Sequence, residues 1–151
     1  MVNVAPTQGP AGLSFAEQIG VFDATGVISA GDLVKVSISA GVYRRVARTA
    51  SGDGTPNHVI GVALADAAVG DRVTVGLKGQ FRVKCAAAVD EGIAFIVSTV
   101  AAQAGPAPTN PADAGTAYVK HIGIALASTD SAGDLTECLF DGINGFAAAG
   151  N

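Results

Sequence analysis

His58 and His121 are the two imidazoles this chain could use as bases. A hydrolase needs a nucleophile, a base and a group that orients the base. Neither histidine stands in a nucleophile motif. Each precedes or opens an apolar strand-like run, Val59-Ile60-Gly61-Val62 in one case and Ile122-Gly123-Ile124 in the other, and a satisfied histidine at a strand edge explains both. Ser51-Gly52-Asp53-Gly54-Thr55 is glycine-rich, but no lysine or helix start follows it, so it is not a phosphate loop. Thr129-Asp130-Ser131-Ala132-Gly133-Asp134 is acidic yet lacks the regularly alternating oxygen ligands of a calcium loop, and reads as a turn. Arg44, Arg45 and Arg48 cluster with only Tyr43 as an aromatic neighbour, too little for a base-stacking platform. Cys85 and Cys138 have no metal-type spacing and read as small buried hydrophobes. The expectation is no catalytic residue, no cofactor and no metal site, in a protein that is not an enzyme.

The elements around these residues share one grammar. His58-Val59-Ile60-Gly61-Val62-Ala63-Leu64-Ala65 leads to a Gly70-Asp71 turn, a strand-like run and Gly79. His121-Ile122-Gly123-Ile124-Ala125-Leu126-Ala127 leads to Gly133-Asp134, a strand-like run and Gly142. Gly61 answers to Gly123 and Gly70 to Gly133, with one residue inserted in the second turn. Upstream, Gly31-Asp32-Leu33-Val34 lies over Gly92-Ile93-Ala94-Phe95. The copies run from about residue 27 to 85 and from 88 to 145. A repeat of this period is a supersecondary unit used twice. The two cysteines fall at non-equivalent places in it, so no repeat-encoded bridge is expected.

Period-two alternation dominates from Gly20 onward. Residues 33–37, 42–47, 72–77, 80–85, 122–127 and 135–140 read as strands, with Phe81, Val83 and Cys85 on one face. Residues 93–97 are continuously apolar and are expected as a central strand covered on both sides. Turn residues recur every eight to twelve positions, which predicts an all-β fold, a compact barrel or sandwich built from two similar halves. Gly61 and Gly123 interrupt otherwise regular strands, as at a bulge, a bend or a close backbone approach. Residues 49–57 and 101–115 are loops at matching places in the two copies, where a β scaffold carries binding. Residues 1–20, with Pro6, Gly9, Pro10 and Gly12, are expected as an extended N-terminal arm with apolar anchors at Val2, Val4, Leu13 and Phe15. Residues 21–151 then form a single β domain.

Composition narrows the role. Charged residues are only 15% of the 151, and of the 49% that are hydrophobic few are aromatic and none is Trp. Such a chain has a small-residue core and little charge to keep it from its neighbours, which favours burial of surface in an assembly. A net charge of −4 speaks against an electrostatic nucleic-acid binder. Eight of the nine bases lie between Lys35 and Lys84, while Lys120 alone stands against seven acids after Cys85. That asymmetry can align subunits head to tail. No signal peptide and no membrane-length apolar run are present in the sequence, so a cytosolic product with no membrane partner is expected.

Residues 61–79, from Gly61-Val62-Ala63-Leu64 through Gly70-Asp71-Arg72-Val73 to Gly79, together with Gly31-Asp32-Leu33-Val34, give the chain a resemblance. It resembles a small β-rich structural family of tailed bacteriophages that includes head decoration, or cement, proteins. The similarity spans residues 26–100, and the second copy echoes it. It implies a β-rich body made in the host cytoplasm and placed on the outer capsid surface of the virion. It further implies a homotrimer that bridges neighbouring major capsid subunits, with no active-site residue. An anchor-bearing arm suits such a role, because strand addition gains main-chain hydrogen bonds. The alternative is a carbohydrate-type binding module displayed on a larger assembly. Sugar sites use aromatic platforms, and this chain offers Tyr43, Tyr118 and a few Phe. A lipoyl- or biotinyl-type carrier would need its lysine in a tight hairpin, whereas Lys84 lies in an alternating strand.

Overall fold

The structure is a computed structural model that describes residues 18–37, 44–49, 59–98, 100–107 and 121–141. These form nine strands in an all-β fold: β1 (Gln18–Ala24), β2 (Leu33–Val36), β3 (Arg45–Arg48), β4 (Val59–Ala63), β5 (Arg72–Lys84), β6 (Ala94–Val97), β7 (Ala104–Pro106), β8 (Gly123–Ala125) and β9 (Leu135–Phe140). Their order is β1-β3-β2-β4-β5-β9-β8-β6-β7, and β1 also pairs with β5. Strands β1 to β5 therefore close on themselves as a five-stranded barrel. The remaining four strands make a second, similar ring with the far half of β5. That ring is drawn shut by one parallel bridge between Cys85 and Ala104.

β5 belongs to both bodies. Its first half pairs with β1 and β4, and its second half with β9. The sequence reading divides this segment at Gly79, and the structure keeps it as one strand of 13 residues. The reason lies in the alternation, which never changes phase. Val73, Val75 and Leu77 serve one interior, and Phe81, Val83 and Cys85 the other. Gly79, at φ 135°, takes the backbone turn between them at a torsion that side-chain-bearing residues avoid.

The sequence repeat takes physical form in matched hydrogen bonds. Ile28 and Ala67 exchange two backbone bonds of 2.9 Å, as Val89 and Thr129 do at 3.1 and 2.9 Å. The Gly31 N–H donates to the Ala63 carbonyl at 2.8 Å, and the Gly92 N–H to Ala125 at 2.8 Å. The Gly70 N–H reaches the Ala24 carbonyl at 2.8 Å, and the Gly133 N–H reaches Cys85 at 2.7 Å. β1 corresponds to the second half of β5, so the pairing pattern repeats with β5 counted in both copies.

Two further elements differ from the sequence reading. β6 is not covered on both sides: Phe95 and Val97 are buried, whereas Ala94 and Ile96 are half-exposed on the other face. The stretch read as a loop over 101–115 contains β7, whose last residue, Pro106, needs no N–H donor at the end of a strand.

Gly61 and Gly123 are explained by a close backbone approach. A Cβ at Gly61 would collide with the Gly76 carbonyl oxygen, and one at Gly123 with the Leu139 carbonyl oxygen, the equivalent atom of the second copy. Gly123→Ala is therefore expected to cost about 1–3 kcal/mol, as overpacking does, read as a lowered urea midpoint with an unchanged slope. Gly26→Ala, where nothing lies within 4 Å of the added methyl, should stay within about 0.5 kcal/mol of the parent. Equal midpoints for all three proteins would refute the close packing of β8 on β9.

Candidate interaction surface

The two halves meet over an apolar seam with a charged cluster at its rim. Leu33, Val59 and Val62 point away from their own barrel and join the interior cluster of the second half, with Phe81, Val83, Phe95, Ile122 and Phe140. The first barrel keeps a separate interior of Ala24, Ile28, Val34, Val46, Ala63, Ala67, Val73 and Val75. Hydrogen bonds cross the same seam: the Leu33 N–H donates to the Ala102 carbonyl at 2.8 Å, and the Ala102 N–H donates to the Thr49 carbonyl at 3.0 Å and to its hydroxyl at 2.9 Å.

Asp32 is the fully buried acid at this junction. Its Oδ1 takes the Lys84 Nζ at 2.9 Å, and its Oδ2 takes the Arg48 Nε at 3.0 Å and the Ser29 N–H at 2.8 Å. A buried carboxylate is tolerable when its oxygens are paired in this way. Lys84 comes from the end of β5 and Arg48 from the end of β3, so the cluster ties the second half to two parts of the first. The sequence reading treats Asp32 as a turn residue. The available signal was its replacement by Ile93 in the other copy, a charge present in only one of two equivalent turns.

The outer face of β6, β8 and β9 is the equivalent surface of the second half, and it is open. Opposed residues in register share a face. Leu33↔Val62↔Gly76 in the first half therefore matches Ala94↔Ile124↔Leu139 in the second. Val62 is 0% exposed and Ile124 46%. The first row lies under the second half; the second row, with Ile96 beside it, is apolar, with Ile124 exposed and Ala94, Ile96 and Leu139 only partly buried.

Other candidate features are dispersed. The arm anchors Val2, Val4, Leu13 and Phe15 lie outside the described residues, as do His58, residues 51–55, Tyr43 and Tyr118. His121 sits half-buried just ahead of β8. Asp134 accepts the Ser131 N–H at 3.2 Å, as Asp71 accepts that of Ala68 at 3.2 Å, so the acidic stretch 129–134 is the repeat's ordinary turn. An open groove of about 580 Å³ runs beside the seam, lined by Ala30, Leu64, Phe81, Arg82, Leu135 and Glu137. It carries one base and one acid but no histidine, cysteine or hydroxyl. Cys85 and Cys138 are free and buried. Burial pushes both thiols up, Cys138 to about 12 with Cys85 adding to the effect. Among the described residues no group of three or more His, Cys, Asp or Glu side chains could hold a metal ion.

The fold has a likeness among solved structures. The structure is similar to the N base of the head fibre gp8.5 of bacteriophage phi29, with a TM-score of 0.55 and 14% sequence identity over 85% of this chain and 98% of that one. No protein-family model and no curated protein matches the chain.

Two outcomes follow from the buried groups. Asp32→Asn keeps the shape but removes the charge that Lys84 and Arg48 face. It should cost about 1.5–3 kcal/mol and lower Tm by several degrees, whereas Lys78→Ala, which breaks only the exposed 3.2 Å pair with Asp141, should cost under about 1 kcal/mol. Cys138 is protonated in both states below pH 9. Above the ordinary thiol value of 9.0 the unfolded chain loses that proton while the folded chain holds it to about 12, so stability should fall with rising pH across this window. Cys138→Ala should make that fall shallower in urea titrations at stepped pH, and an unchanged slope would contradict the burial of the thiol.

Proposed function

We propose that the chain is a structural protein of a phage virion, and that it decorates and stabilises the shell by bridging neighbouring major capsid subunits from the outer surface. The observation that carries this reading is the likeness of almost the entire phi29 head-fibre base to this chain. The small-residue core, the charged fraction of 15% and the buried thiols support the same reading, because they suit a body that works by burying surface. Many modest contacts repeated by the symmetry of a shell add up through avidity. In this reading the chain acts as a homotrimer, and the arm anchors Val2, Val4, Leu13 and Phe15 reach the shell.

Co-sedimentation tests the proposal. The chain should pellet with assembled shells of its cognate major capsid protein, and should leave free capsid subunits in the supernatant. Replacing Leu13 and Phe15 by Ser should weaken shell binding at least tenfold, since each lost apolar anchor is worth about 1.5–3 kcal/mol. A chain that ignores shells and binds a defined glycan on an array would replace this reading with the carbohydrate-module one.

A further inference from the structure

The two halves are one module, yet they meet through different sides of it. The first half contributes the outer face of β2 and β4, with Leu33, Val59 and Val62. The second half contributes its barrel interior, with Val83, Val97, Ile122 and Phe140. Strands wall that barrel's sides, so the first half seats against its end. A module that docks by a face on one side and a barrel end on the other leaves two unused surfaces when it occurs twice.

Both unused surfaces are present. The open face is Ala94, Ile96, Ile124 and Leu139, described above. The open end belongs to the first barrel. Register and the matched turns place Phe22 at the position of Val83, Val36 at that of Val97, Ile60 at that of Ile122, and Leu77 at that of Phe140. The four in the second half are buried. In the first half Phe22, Ile60 and Leu77 are only partly buried, and Val36 is 44% exposed against 8% for Val97. The uncovered end and the uncovered face are thus the counterparts of two surfaces that already fit each other inside the chain.

We propose that copies of this chain associate head to tail, with the open face at Ala94, Ile96, Ile124 and Leu139 of one copy seated on the open barrel end at Phe22, Val36, Ile60 and Leu77 of the next. The occupant of each surface is a second copy because the complementary surface is on the chain itself. Charge runs the same way: up to Gly79, the half that offers the open end carries six bases and six acids, whereas the half that offers the open face carries three bases and seven acids. Such a contact is heterologous, so it closes into a ring or extends as a filament according to its rotation. The inference specifies, and in that sense rests on, the self-association in the preceding reading. It is tested without shells, so either can fail alone.

The test is the mass of the full-length chain at about 100 µM by light scattering after size exclusion. The parent chain should be an oligomer. Ile124→Lys and Val36→Lys, both at exposed positions, should each leave only monomers with an unchanged circular dichroism spectrum. Mixed in equal amounts, the two variants should give a one-to-one dimer, because one intact end meets one intact face and neither remaining surface can extend. A monomeric parent chain overturns the proposal, as do Lys variants that remain assembled or a mixture that stays monomeric.

Discussion

Everything in this structure depends on one strand that serves two barrels. β5 is long enough to be the last wall of the first barrel and the first wall of the second. Its alternation keeps one side of the backbone turned inward through both. No linker separates the halves, so the hydrogen-bond ladders to β1, β4 and β9 fix their relative placement. A shift of one residue in β5 would turn Phe81, Val83 and Cys85 out of one core and Val73 and Val75 out of the other. Register in one half is therefore enforced by burial in both.

The second consequence is asymmetry between like parts. Once the halves share a strand, the outer face of the first must lie against the second, and an apolar row there becomes core. Leu33 and Val62 are interior residues although they point away from their own barrel. The same packing buries Asp32, and burial of a carboxylate requires the cations that Arg48 and Lys84 supply. The equivalent turn of the second half has no such neighbour and carries Ile93 in that place. Differences between the copies mark where the halves meet, and their similarities mark how each one folds.

Among the described residues, reactive groups are scattered or covered. Both thiols are buried, and the described acids are spread over turns, strands and ion pairs. What the chain offers a partner is shape, apolar area and an uneven charge. The phi29 head-fibre base has a similar fold at 14% identity.

Much of the fold could be read directly from the chain. Alternation placed β2, β9 and the two segments that β5 joins into one strand, the Gly-Asp turns located the hairpins, and the repeat foretold two similar halves, because these are local periodicities imposed by the backbone itself. Gly61 and Gly123 stood out for the same reason, although only the neighbouring carbonyl oxygens explain why a side chain is excluded there. The interaction surface was not legible in this way. Little that is local distinguishes Val62 from Ile124, or Val36 from Val97: the first two each stand between a glycine and an alanine, the second two each precede a serine, and each pair occupies equivalent strands in the same phase. One member is covered and the other open because of which body packs against it. That is decided by contacts between residues far apart in sequence, and only the tertiary structure contains them.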